Sequence, residues 1–152
     1  MDINQLKKLN RLNKIRVKRC EKQLAESKDL FHEACRKVDK RKLEISVIKN
    51  ENNDLNTHLK KNYVSKSPVK REHVHIRRFW LNYDLEMHEY YYDQEIDEKS
   101  TTQSKYQESK NVWYKQKLKA EKLNNFYNSL SKERFVISEN VEDEINQESK
   151  IK

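Results

Sequence analysis

The chain has 152 residues, with 33 Lys and Arg against 25 Asp and Glu, a formal net charge of +8, and 34% hydrophobic against 38% charged residues. That apolar share is too small for a globular core and large enough for a narrow seam between helices in a single domain. The complete lack of glycine weighs against tight turns, β-hairpins, phosphate-cradling loops and dinucleotide fingerprints, all of which need positive φ or close backbone approach.

A mean hydropathy of −1.22 is also compatible with a disordered chain. Periodic apolar residues and the scarcity of helix breakers favour ordered helix instead. The sequence contains no apolar run of about 18 residues that could span a membrane. Its start, Met1 to Lys8, has no apolar signal core, so the expected address is the cytoplasm.

The first predicted element is a helix over about residues 2–62 with a sustained heptad. Its a positions are Ile3, Asn10, Val17, Leu24, Phe31, Val38, Ile45, Asn52 and Leu59, and its d positions are Leu6, Asn13, Cys20, Ser27, Ala34, Arg41, Ile48, Leu55 and Asn62. A spacing held this long signals a coiled-coil partner. Asn10, Asn13, Arg41 and Asn52 interrupt the seam, and polar seam residues lower stability while fixing register. Leu9, Leu12 and Ile15 sit off this frame. Cys20 and Cys35 lie about 22 Å apart at 1.5 Å rise per residue, too far for a disulfide. With no CxxC or Cys/His quartet, no metal is expected and both are read as reduced thiols.

The second element is a bend over 63–69 around Pro68, the only proline. Proline blocks a continuing helix and pushes Ser67 out of helical geometry. The expected fold is all-α, an antiparallel two-helix coiled-coil hairpin. The competing arrangement is two helices that run apart and pair with other chains.

The third element is a helix over about 70–137. Val69, His73, Ile76, Trp80, Tyr83, Met87 and Tyr90 follow 3-4 spacing. A polar stretch from Asp93 to Asn111 comes next, and then a seam in another phase through Tyr106, Trp113, Ala120, Leu123, Tyr127, Leu130 and Ile137. Ser100, Thr101 and Thr102 lower helix propensity locally, by tenths of a kcal/mol each. Residues 138–152 carry Glu139, Glu142, Asp143, Glu144 and Glu148 and are expected to form an acidic tail or frayed helix end.

Charge tests the hairpin independently. A bend centred near residue 66 places residue i opposite 132 − i. Asp84 to Glu98 holds seven acids and no Lys or Arg, and falls beside Arg36, Lys37, Lys40, Arg41 and Lys42. Opposite charges therefore face each other in this register. At the other end the rule fails. Residues 7–22 hold eight cations and one acid, a net +7, and their expected neighbours 110–125 hold five lysines and one acid, a net +4. Two basic helix ends side by side repel, and an acidic partner would relieve them. A merely solvated basic face is the plain alternative. Nucleic acid is disfavoured as the partner, because no helix-turn-helix, zinc-finger or RNA-binding pattern is present.

Aromatic residues cluster as Phe79, Trp80, Tyr83, Tyr90, Tyr91 and Tyr92, and again as Tyr106, Trp113, Tyr114, Phe126 and Tyr127. One seam cannot bury them all, since consecutive residues such as Tyr90 to Tyr92 point about 100° apart. Trp and Tyr commonly anchor protein interfaces. His32, His58, His73, His75 and His88 are scattered. With no nucleophile context or carboxylate pair in an apolar pocket, no catalytic site and no cofactor are expected.

The combination of size, basic helical hairpin, Ser104-Lys105-Tyr106, Trp113-Tyr114, the Lys-rich helix to Phe126-Tyr127 and the Glu-rich tail resembles the small stalk proteins of bacterial type III secretion systems, of the YscO/FliJ type, in the branch found in invasion-associated injectisomes. The resemblance implies a non-enzymatic stalk seated in the centre of the hexameric secretion ATPase, like the γ subunit of rotary ATPases, at the cytoplasmic face of the secretion apparatus. It also implies contacts with the export gate protein and with chaperones. The expected contact residues are Lys7, Lys8, Arg11, Lys14, Lys18, Arg19, Lys115, Lys117, Lys119 and Lys122. The alternative is a structural coiled-coil adaptor or a nucleic-acid-associated basic helical protein.

Overall fold

The computed structural model describes residues 2–61 and 68–151, with the side chains of 61, 68, 69 and 151 left aside. It contains two α-helices, α1 (Ile3–Lys61) and α2 (Pro68–Ile151), which pack antiparallel as a helical hairpin. Most of the expected bend, together with the d position Asn62, lies outside the described residues. Pro68 occupies the first position of α2, where its fixed φ suits a helix and its missing N–H costs nothing.

The helix pair divides into two compact units. One joins residues up to 26 of α1 to residues from 107 onward of α2, and the other spans residues 27–106. We call them the base unit and the bend-side unit.

Every described a and d position of the α1 heptad is buried or half-buried, and most positions between them are exposed. This is the expected result of a 3.5-residue apolar spacing laid against one partner helix. The most deeply covered apolar side chains are Leu6, Ala34, Val38 and Leu81.

In α2 the seam keeps the expected Tyr106, Trp113, Ala120, Leu123, Tyr127 and Leu130, and departs from the expected positions before Tyr92 and at Ile137. The covered positions run Leu81, Leu85, His88, Tyr92, Glu95, Lys99, Thr102, Tyr106, Ser109, Trp113, Gln116, Ala120, Leu123, Tyr127 and Leu130, an unbroken 3-4 alternation. The expected seam residues Ile76, Trp80, Tyr83 and Tyr90 are instead 48–58% exposed. His73 is exposed as well, and Val69 lies outside the described side chains. The phase break expected around 93–111 does not occur, because polar residues such as Glu95, Lys99 and Thr102 continue the seam. The helix is continuous there, with the Thr101 and Thr102 hydroxyls donating to the carbonyls of Asp97 and Glu98 one turn back.

Two boundaries also move. The register is displaced from the expected one by two to four residues. Asn10 meets Asn124 rather than 122, Asn52 meets Asn82 rather than 80, and Arg41 meets Glu95 rather than 91. In addition, α2 does not stop near 137: the expected acidic tail is helical through Ile151, since no proline or glycine interrupts it.

The polar seam residues form cross-helix rungs. Asn10 Nδ2 donates to Asn124 Oδ1 at 3.1 Å in the base unit, and Asn52 Nδ2 donates to Asn82 Oδ1 at 3.0 Å in the bend-side unit. Asn10 is only 6% exposed, and its Oδ1 is buried with no hydrogen-bond partner among the described residues. A rung of this kind carries a desolvation cost and holds the alignment. Replacing Asn10 and Asn124 together by Leu is expected to raise the melting temperature while broadening the distance distribution between spin labels on the two helices. A lower melting temperature would show that the rung is a net stabiliser rather than a register device.

Candidate partner-binding surfaces

In the bend-side unit, the acidic block of α2 meets the basic stretch of α1 as the charge pattern predicts. Arg41 forms a forked contact with Glu95, with Nη2 at 2.8 Å from Oε1 and Nε at 3.2 Å from the same oxygen. Lys37 pairs with Glu98 at 3.6 Å, although both are about half exposed, so this pair contributes little. Arg41 also reaches Glu44 at 3.2 Å, and its guanidinium lies 5.2 Å from the centre of the Tyr91 ring. His88 Nδ1 sits 2.8 Å from Arg41 Nη1 and accepts from it when the ring is neutral, which leaves the proton on Nε2. The Arg41 pKa is raised above its ordinary value, chiefly by the Glu95 hydrogen bonds, with burial opposing. Farther along α2, Arg77 grips Glu51 through Nε and Nη2.

The same unit carries an exposed aromatic face. Phe79 and Trp80 pack edge to face with centroids 5.6 Å apart, and Trp80 does the same with Tyr83 at 5.9 Å. Ile76, Phe79 and Trp80 line an open hollow with Arg71, Glu72 and His75. Sequence spacing assigned Ile76, Trp80 and Tyr83 to the seam. Trp80 is one residue from Leu81, and Tyr83 is two from both Leu81 and Leu85, which places both outside it, and Ile76 is exposed with them.

In the base unit, all ten cations singled out from the sequence are exposed. None of them forms an ion pair within 4 Å among the described residues. The structure brings three of them together. Lys14, Lys18 and Lys117 line a shallow groove whose other walls are Val17, Ala120, Asn124 and the acids Glu21 and Glu121. Lys117 Nζ lies 4.9 Å from the centre of the Trp113 ring, a cation–π contact that holds the ammonium over a half-buried indole. Lys7, Lys8, Arg11, Arg19, Lys115, Lys119 and Lys122 do not line this groove.

One surface was missed in the sequence because it was assigned to a tail. Residues 132–150 of α2 are all exposed, and they include Phe135, Val136, Ile137, Val141 and Ile145 at 48–64% exposure. With Asn10 opposite Asn124, the first residue of α1 falls opposite about residue 131, so α1 offers no partner to this stretch. The signal was present as the four-residue spacing of Ile137, Val141 and Ile145.

Among the described residues, no helix is long and apolar enough to cross a membrane. Comparison with protein-family models, with curated proteins and with solved structures finds no match to this chain.

Proposed function

We propose that this protein is a non-enzymatic helical stalk of a bacterial type III secretion system, working at the cytoplasmic face of the apparatus in the centre of the hexameric secretion ATPase. One observation carries the reading: two helices present cations side by side at the same end, and none of the ten is neutralised by an ion pair within 4 Å among the described residues. Like charges held this close favour an acidic partner and steer it into place. Acidic loops lining an ATPase ring supply that chemistry, and paired helices transmit force without a globular core.

The exposed Phe79, Trp80 and Tyr83 face fits a second protein contact, with the export gate protein or a chaperone, since desolvated aromatics dominate such interfaces. Nucleic acid is the weaker partner for the base, because Glu21 and Glu121 stand among the groove lysines and would face phosphates.

The test is a charge reversal of Lys14, Lys18, Lys117 and Lys119 to Glu. Stimulation of the secretion ATPase by the purified chain is expected to fall about tenfold or more, equivalent to about 1.4 kcal/mol of lost coupling, while circular dichroism stays helical. Full stimulation by the reversed variant would remove the basic base as the contact.

A further inference from the structure

The stretch of α2 beyond α1 combines two properties that do not suit bare solvent. Residues 135–149 hold five acids, Glu139, Glu142, Asp143, Glu144 and Glu148, and no Lys or Arg. The same stretch exposes Ile137, Val141 and Ile145, which recur every four residues and so lie along one side of the helix. Ile137 and Val141 also continue the seam spacing that ends at Leu130, so the covered face of α2 runs on past the point where α1 stops.

The surface complementary to this overhang is the base itself. Residues 7–22 and 110–125 carry net charges of +7 and +4. Between them lies the groove with Val17 and Ala120 as apolar lining and Lys14, Lys18 and Lys117 as cations. The overhang cannot reach the groove of its own chain, because Val141 and Lys117 sit on one continuous helix, 24 residues and therefore about 36 Å apart.

We propose that the overhang of one chain docks on the basic base of a second copy. The apolar side of the overhang, Ile137, Val141 and Ile145, lies over the groove, and Glu144 and Glu148, which flank that side of the helix, face the lysines and arginines of the base. Each copy has one overhang and one base, so a reciprocal exchange closes the pair as a twofold dimer and leaves no unfilled site. Direct pairing of two overhangs is disfavoured, because it sets five acids against five. The inference stands apart from the secretion reading. It concerns the same cations, however, and the dimer would have to open before an acidic partner could take the base.

The test uses the full chain and two sets of exposed substitutions. The wild type at micromolar concentration and low salt is expected to sediment at twice the chain mass, and to return to monomer near 1 M salt, where the screening length falls to about 3 Å. A tail-reversed variant, with Glu142, Glu144 and Glu148 changed to Lys, is expected to be monomeric. A base-reversed variant, with Lys14, Lys18 and Lys117 changed to Glu, is expected to be monomeric too, and mixing the two variants restores the dimer. A wild-type monomer at low salt overturns the proposal. A base-reversed variant that remains dimeric overturns it in favour of overhang-to-overhang pairing. Neither readout involves the ATPase, so failure here leaves the stalk reading standing, and failure of the stalk reading leaves this one standing.

Discussion

Leu81→Ala is expected to lower unfolding free energy by about 2–4 kcal/mol, while Trp80→Ala, one residue earlier, changes it by less than about 1 kcal/mol. On side-chain size the ranking would be reversed, since Trp offers far more apolar area than Leu. Placement decides the matter. Leu81 is 2% exposed and is the only α2 side chain among the four most buried apolar ones of the described residues, whereas Trp80 is 52% exposed and touches Phe79 and Tyr83 on the outer face. Truncating Leu81 opens a void in a seam with few other apolar residues to collapse into it, and truncating Trp80 removes a side chain that water already reaches. Urea unfolding monitored by circular dichroism reads both values. Equal costs for the two variants would mean that α2 is rotated by about one residue from the arrangement described, which returns the aromatics to the seam.

The second large effect concerns Arg41. Arg41→Met is expected to cost about 2 kcal/mol, below the 3–5 kcal/mol of a fully buried pair because water still reaches both side chains. Their exposures are 22% for Arg41 and 17% for Glu95. The loss exceeds that of a surface pair because Arg41 holds Glu95, Glu44 and His88 together from a d position of the seam. Removing it leaves the Glu95 carboxylate half-buried with its fork partner gone. A double-mutant cycle with Glu95→Gln is expected to give a coupling energy of about 1–2 kcal/mol, and strictly additive costs would deny the contact.

The pH dependence has a definite sign. A cation whose pKa is raised on folding contributes stability that is fully present below its ordinary value and is lost only as pH rises through the folded one. For Arg41 that window lies above the ordinary arginine value, so its own ionisation leaves the pair intact through the neutral and mildly alkaline range. Lys37→Met, by contrast, removes a pair exposed by about half on each side and is a suitable control with little effect.

These two sites show which parts of the fold were legible in the chain. In α1 the heptad is written in apolar residues, so its covered side could be read directly, from Ile3 to Leu59. The charge blocks fixed the orientation of the partner helix and brought Arg41 and Lys37 to the acids of 84–98, within about one helical turn of the observed register. The six base cations of α1 were likewise placed on exposed positions by the same heptad, since none of them occupies an a or d position.

The rotation of α2 was legible from Tyr106 to Leu130, whose six seam residues are covered as their spacing predicts, and was not legible from Ile76 to Tyr90, for a physical reason. Between Tyr92 and Tyr106 the seam is filled by Glu95, Lys99 and Thr102, which carry no hydropathy signal, while Trp80, Tyr83 and Tyr90 outline a competing stripe one to two residues from Leu81, Leu85 and Tyr92. A helix with two competing faces has no preferred rotation by itself. Contact with α1 selects the face, because Asn82 and Glu95 can meet Asn52 and Arg41 only when Leu81 turns inward.

The sequence by itself determined that two helices form and that each has a basic stretch, since helix formation and net charge are local or additive properties, and its charge blocks favoured antiparallel pairing over helices that run apart. Only the tertiary structure decided which residues the seam covers in the first half of α2, how far α2 runs past α1, and which cations share a groove. Those outcomes depend on the partner's surface at each level, and periodicity within one helix holds no record of it.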